Sequence, residues 1–162
     1  MRHLMKQRAS QLGLSLIELM ITVAIGGVLL TAASPYMSEF IANSRLRESG
    51  NLLLTETLIA QSEAIKRNTR VRLATAGNTI QVLDITTPAL PVVLRERSTT
   101  GGALLPTANI EFGSEGRPVP FGTSAQIDVT NPQGCSADLR CPGLRVEAGG
   151  AVRLCGNQLS CS

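Results

Sequence analysis

The feature that most constrains this chain is an apolar run of 20 residues near its start, from Leu14 to Ala33. As a helix that rises about 1.5 Å per residue, the run would extend over about 30 Å, the thickness of a bilayer's hydrocarbon core. Glu18 is the only charged residue within it. A carboxylate in such a segment costs about 2.5–3.5 kcal/mol on membrane-insertion scales, so it usually serves a function.

The composition of the remaining chain limits the classes of function. A length of 162 residues suits one domain in addition to the apolar N-terminus. Arg2, Lys6 and Arg8 all precede the apolar run, and without residues 1–13 the basic residues fall from 15 to 12, equal to the 12 acidic residues. Net charge therefore gives no support to general binding of polyanions.

Histidine is almost absent from the chain. The only one, His3, lies in the basic stretch ahead of the apolar run. The rest of the chain therefore lacks the imidazole needed for Ser-His-Asp or Cys-His catalysis and for zinc sites with histidine ligands. No Gly-rich nucleotide-binding motif and no nucleophile-elbow motif is found in the sequence. We predict that the protein is not an enzyme and has no cofactor and no metal.

Four cysteines, Cys135, Cys141, Cys155 and Cys161, fall within the last 28 residues. An even, clustered number after an export-type N-terminus predicts two disulfides in an oxidising compartment. A metal site of four thiolates is the alternative, although no Cys-x-x-Cys spacing is present. Three pairings exist; we favour the two local pairs, with a crossed pairing that joins the tail to the preceding loop as the alternative.

Two general interpretations of the N-terminus leave Glu18 unexplained. A cleavable secretory signal would end at the small residues around 30–33, but Glu18 would interrupt its apolar region. A plain membrane anchor would keep Arg2, Lys6 and Arg8 in the cytoplasm by the positive-inside rule. Neither interpretation gives the carboxylate a role.

The stretch Gly13-Leu14-Ser15-Leu16-Ile17-Glu18 resembles the processing site of type IV prepilins and type II secretion pseudopilins. This resemblance implies a membrane-embedded prepilin peptidase that cuts after Gly13 and methylates Leu14. Glu18 then becomes the fifth residue of the mature chain, as in that class, and Pro35 the twenty-second. Leu14 departs from the family, which usually has Phe there.

The resemblance implies a role in assembly for Glu18. When subunits stack into a filament, the N-terminal amine of a neighbour can lie against this carboxylate in a medium of low dielectric constant, where the attraction far exceeds its value in water. The alternative is an incidental acid that snorkels toward the headgroups.

Downstream of the apolar run the hydrophobic pattern changes from helical to strand-like. We predict one helix over about residues 14–67, followed by strands near residues 71–75, 79–83, 92–96, 109–112 and 126–129 and a closing hairpin of 144–147 with 152–154. Residues 98–107 look like a linker. The predicted fold is α+β and pilin-like, with a long N-terminal helix packed on an antiparallel β-sheet head. The predicted organisation is a leader (1–13), a transmembrane helix half (14–34), an amphipathic helix half (35–67) and a β-rich head with a Cys-rich tail (68–162).

The segment from Ser62 to Leu73 closely resembles the junction between helix and first strand in the GspH/FimT group of pseudopilins and minor pilins. The resemblance implies a single-pass protein of the bacterial inner membrane with its head in the periplasm, or within an extracellular pilus. The implied partners are other pilin or pseudopilin subunits, the prepilin peptidase and the inner membrane. These residues do not distinguish a type IV pilus from a type II secretion system.

Basic residues form two candidate contact sites for DNA or a partner. Lys66, Arg67, Arg70 and Arg72 either complement the dipole of the helix C-terminus or contact a phosphate or partner. In the closing hairpin, Gly150-Ala151-Val152-Arg153 resembles the Gly-Arg-x-Arg stretch of FimT-like minor pilins that bind DNA during transformation, with Arg140 and Arg145 nearby. Ala151 replaces the first arginine and the chain has no Trp, so DNA binding is an alternative that we do not favour.

Overall fold

A computed structural model of the protein describes residues 15–161. One long helix, α1, is followed by eight strands and a short 3-10 helix near the C-terminus. Their bounds are α1 Leu16–Arg67, β1 Val71–Gly77, β2 Thr79–Asp84, β3 Val92–Ser98, β4 Leu105–Phe112, β5 Pro118–Val119, β6 Ala125–Asp128, β7 Gly143–Val146, β8 Val152–Cys155 and the 3-10 helix Gln158–Ser160.

The chain divides into two compact units, residues 1–37 and residues 38–162. In the first unit, the described residues are mainly the apolar part of α1. The second unit, here called the head, contains the rest of α1 and all eight strands.

The end of α1 is set by a Schellman-type C-cap. Asn68 adopts a left-handed conformation with φ of 53°. Its N–H donates to the Ile65 carbonyl, and the Thr69 N–H donates to the Ala64 carbonyl, both at 3.2 Å. Asparagine tolerates this conformation better than most residues, and the two bonds satisfy carbonyls that the helix leaves free. The predicted end of the helix at Arg67 is confirmed.

The strands form two antiparallel sheets. The larger sheet has the order β3-β2-β1-β4-β5, and the smaller has the order β6-β7-β8. Strand β4 pairs with β1 so that Val71 lies opposite Phe112, which places the two residues side by side in the core. An isolated antiparallel bridge joins Leu104, just before β4 of the larger sheet, to Thr130, just after β6 of the smaller sheet.

The core of the head is aliphatic, with a single large aromatic side chain. On α1, Leu46, Leu53, Ala60 and Ala64 are buried at helical spacing. They belong to one cluster with the alternating inward residues of the sheets, including Leu73, Val82, Ile110, Phe112, Ile127 and Leu144. The predicted pilin-like fold, a long helix followed by an antiparallel sheet head, is confirmed.

All seven predicted strands are present, with bounds that differ by a few residues. The first hairpin turns at Gly77, whose φ of 60° is one that glycine adopts without strain. The prediction was incomplete in two places. Strand β5 was not among the predicted strands, and the expected linker 98–107 includes the start of β4 and the buried Ala103. Strand β5 and the first residues of β4 have no clear strand pattern of their own. They are strands because they pair with β4 and β1, respectively.

Candidate assembly surface and basic clusters

The apolar segment of α1 lies on the surface of the single chain. Among the described residues, one helical segment, Leu16–Ala33, is long and apolar enough to cross a membrane, with a mean hydropathy of 2.2 and none of it buried. The hydroxyls of Thr22 and Thr31 donate to the carbonyls of Leu19 and Val28 at 2.9 Å, so these groups are satisfied within the helix. Exposed apolar area of this extent is typical of sites that contact lipid or another protein.

Glu18 lies in the first turn of α1 and is exposed. Leu16, Ile17, Leu19, Met20 and Ile21 around it are each more than half exposed. The carboxylate therefore stands on a continuous apolar surface. The predicted processing residues Gly13 and Leu14 lie outside the described residues.

Five of the seven candidate contact cations are paired with acids in the head. Lys66 and Arg67 both contact Glu63, at 3.7 and 2.6 Å, and Arg67 also lies 3.7 Å from Asp84. In the larger sheet Arg72 binds Glu111 at 2.7 Å. In the smaller sheet Arg145 binds Asp128 at 2.5 Å, and Arg153 binds Glu147 at 3.0 Å.

These pairs change the protonation behaviour of the cluster at the end of α1. The hydrogen bond from Arg67 is the main cause that holds the pKa of the Glu63 carboxyl below its ordinary value, and the same bond raises the pKa of Arg67. The hydroxyl and the N–H of Thr86 lower the pKa of Asp84, with a smaller contribution from Arg67. The acids at this end of the helix are therefore charged across the ordinary pH range and partly neutralise the cations.

The candidate arginines of the closing hairpin do not form a shared basic patch, because each is paired with its own acid. Ala151 is exposed, Arg153 is about half exposed and paired with Glu147, and Arg145 is only 18% exposed against Asp128. Gly150 has a φ of 92°, and a Cβ there would lie 2.8 Å from the Gly116 carbonyl oxygen. The close packing of the turns at Gly116 and Gly150 thus explains why position 150 is a glycine.

Arg70 and Arg140 are the two candidate cations that form no ion pair among residues 15–161. The structure does not bring them together: Arg70 lies beside Asn68 and Phe121, whereas Arg140 lines a groove of about 930 Å³ between α1 and the Cys-rich tail. This groove was not predicted from the sequence. The four-residue spacing of Glu39, Asn43 and Arg47 could have indicated that they share one helix face. The position of the Cys-rich tail beside this face could not be predicted from the local sequence.

The four cysteines form the two local disulfides, Cys135–Cys141 and Cys155–Cys161. The favoured pairing is thereby confirmed, and none of the thiols remains for the alternative metal site.

Comparison with known proteins identifies the family. Residues 8–34 match the prokaryotic N-terminal methylation motif, and residues 49–158 match the family described as Type II transport protein GspH. No curated protein sequence matches this chain.

Two solved structures share the fold at low sequence identity. The type IV minor pilin FimU of Pseudomonas aeruginosa is 15% identical, with a TM-score of 0.59 over 71% of this chain and 91% of FimU. The minor pseudopilin EpsH from the Type 2 Secretion System of Vibrio cholerae is 13% identical, with a TM-score of 0.56 over 69% of this chain and 97% of EpsH. Since the GspH match spans more than half of the sequence and follows a methylation motif, the chain belongs to the GspH family of pilin-like and pseudopilin-like structural subunits.

Proposed function

We propose that the protein is a non-catalytic minor pilin or pseudopilin that assembles into a type IV pilus or a type II secretion pseudopilus. The observation that carries this proposal is the exposed apolar segment Leu16–Ala33 with Glu18 as its only charge, in a chain with a methylation motif and a GspH head. Prepilin peptidase would cut after Gly13 and methylate Leu14. The helix would anchor the subunit in the inner membrane, with the head in the periplasm.

Glu18 supplies the specific contact in this proposal. After cleavage, the methylated amine of a neighbouring subunit can approach the carboxylate within the apolar filament core. There an unpaired charge is costly, so the pair favours the assembled state over isolated subunits.

The test compares Glu18→Gln with Glu115→Gln in native cells. The first variant removes the charge at nearly constant size, and the second makes the same change at an exposed position in the turn between β4 and β5. We expect Glu18→Gln to lower the amount of this subunit in purified filaments by about tenfold or more, since tenfold corresponds to about 1.4 kcal/mol of lost contact free energy. Equal incorporation of both variants and the unaltered chain would refute the role of Glu18.

The machine to which the subunit belongs is identified by its neighbours. Crosslinking in native cells, followed by mass spectrometry of what is joined to α1, captures either pilus subunits or secretion pseudopilins. Pilus subunits would make the protein a minor pilin; secretion pseudopilins would place it in an export pseudopilus.

DNA binding remains an untested hypothesis that the ion pairs do not favour. Arg145 and Arg153 in the closing hairpin already have carboxylate partners. Ala151 stands where the Gly-Arg-x-Arg stretch has its first arginine. Fluorescence anisotropy of the head with DNA at low salt tests it: binding lost in an Arg145→Ala, Arg153→Ala double variant would support the hypothesis, and absence of binding would remove it.

A further inference from the structure

The groove beside the Cys-rich tail has a wall from α1 and a wall from both disulfide loops. Its volume is about 930 Å³. The helix contributes Glu39, Phe40, Asn43, Ser44 and Arg47, and the opposite wall includes Asp138 and Arg140 from the first disulfide loop and Asn157 and Ser160 from the second.

Three hydrogen bonds and one close packing contact fix the walls of the groove in place. Asn43 donates to the Asp138 carbonyl at 2.8 Å and accepts from the Arg140 N–H at 2.9 Å, which ties the first disulfide loop to α1. The Gln158 N–H donates to the Cys141 carbonyl at 2.7 Å, which joins the second loop to the first. At Gly50 the helix approaches the tail so closely that a Cβ would lie 2.6 Å from Pro142. Contacts within the head thus hold the two walls of the groove against each other.

The groove is lined by four charged side chains, two acidic and two basic. Glu39, Arg47, Asp138 and Arg140 line it, yet all the ion pairs within residues 15–161 lie elsewhere. On the helix wall, Glu39 and Arg47 are eight residues apart, or about 12 Å along the axis. They are therefore too far apart to pair with each other, and this wall is acidic at one end and basic at the other.

We propose that the groove binds a polypeptide segment of a neighbouring filament subunit that carries both a carboxylate and a cation. The carboxylate lies against Arg47 or Arg140, and the cation lies against Glu39 or Asp138. This inference rests on the proposed function, because a neighbouring subunit exists only in an assembly.

The chemistry of the groove favours a peptide over a small ion. Its charges of both signs are spread over about 12 Å, a separation that one ion cannot span. Phe40, 71% exposed, adds an apolar side chain to the lining. Aromatic and arginine side chains are the ones enriched in protein interfaces, and arginine binds carboxylates with two parallel hydrogen bonds.

The direct test places a photo-crosslinking amino acid at Ser44 of the full chain in native cells. Ser44 is exposed and lines the groove; Thr55, exposed on the same helix but outside the groove, is the matched control position. We expect Ser44 to capture a segment of a pilin or pseudopilin subunit that contains an acid and a base, and Thr55 not to capture that segment. Capture of only lipid or nucleic acid at Ser44, or the same yield of that segment at both positions, would overturn the inference.

Charge reversal then tests the recognition itself. Arg47→Glu is compared with Arg117→Glu, which makes the same change on an exposed arginine that lies outside the groove and forms no ion pair among the described residues. We expect Arg47→Glu to lower the Ser44 crosslink by about tenfold, and reversal of the captured acid to Lys to restore it. An unchanged crosslink, or an equal loss in Arg117→Glu, would contradict the proposed pairing. Thermal melting of both variants controls for folding.

A crosslinker at Leu29 separates the failure of this inference from the failure of the proposed function. Leu29 lies in the exposed apolar segment, outside the head. Subunit capture at Leu29 without capture at Ser44 refutes the groove contact and keeps the filament role. Absence of subunit capture at both positions refutes both.

Discussion

At the scale of single residues, one buried carboxylate links α1 to the edge strand β3. Glu56 on α1 is 2% exposed, and its two oxygens accept from Arg95 on β3 at 3.0 and 3.1 Å. Such a pair contributes little over apolar packing, but loss of one partner leaves a costly buried charge. This pair therefore specifies how the edge strand β3 lies against the helix.

Asp84 provides a test that depends on pH. Its pKa is lowered, first by the Thr86 hydroxyl at 2.5 Å, so this bond stabilises the folded state above the ordinary pKa of about 3.8. The stabilisation is lost as the pH falls through the lowered pKa of the folded state. Thr86→Ala should therefore reduce the free energy of unfolding by about 0.5–1 kcal/mol at pH 7 and by less at pH 2. Urea unfolding of the head fragment 38–162 measures both values.

The control for this prediction is Thr87→Ala, since the Thr87 side chain is exposed and does not contact Asp84. An equal effect of the two substitutions at pH 7, or a loss at pH 2 as large as that at pH 7, would show that the Thr86 hydroxyl does not act through Asp84.

Gln61 is a second residue with a testable structural role. Its side-chain N–H groups donate to the carbonyls of Gly116 at 2.6 Å and Gly150 at 2.8 Å, which fixes two turns on one helix. Because Glu offers only acceptors at neutral pH, Gln61→Glu should lower the free energy of unfolding by about 1–3 kcal/mol. Chemical denaturation checks this, with Gln126→Glu on an exposed position of β6 as the control. A loss no larger than that of the control would show that neither bond matters.

The residue scale also shows where prediction from sequence ends. The cations of both candidate clusters could be read from the sequence, and so could the helical pairing of Glu63 with Lys66 and Arg67. The acids that come from another strand could not. Arg72 is paired with Glu111, which is 39 positions away and adjacent only because β4 lies beside β1. Pairings of this kind depend on strand order, and nothing in the local pattern of either strand specifies it.

At the scale of elements, α1 has two different faces within the head. Leu53 is fully buried in the core, whereas Leu58 on the same helix is 46% exposed. Leu53→Ala should lower the free energy of unfolding of the fragment 38–162 by about 2–5 kcal/mol, since the substitution leaves a cavity. Leu58→Ala, the matched control, should cost about 1 kcal/mol or less. Similar losses in the two variants, measured by urea denaturation, would contradict the observed orientation of the helix.

The predicted elements are correct where one local signal dominates. The helix ends where Asn68 caps it, and the first hairpin turns at Gly77, because the conformation of each residue is set by its own chain neighbourhood. The division into two sheets and the position of β5 depend on contacts between distant segments, and were therefore not predicted. The groove depends on the same kind of contact, since Asn43 and Arg140 are separated by 97 positions.

At the scale of the whole molecule, an exposed apolar helix and a folded head are joined in one chain. The segment Leu16–Ala33 has none of its surface buried, whereas the head has its own core. Exposed apolar surface of this extent is typical of a segment that contacts lipid or other proteins. In the proposed function, the membrane and then the filament would provide these contacts.

The intact mass of the native protein tests this account most directly. If the chain is processed as a prepilin-type subunit, the mature protein begins at Leu14 and carries one extra methyl group, with both disulfides formed. A chain that begins at Ser34 would instead show a cleaved secretory signal, and a chain that retains residues 1–13 would show that the predicted processing does not occur. Either of these two masses would contradict the proposed filament role.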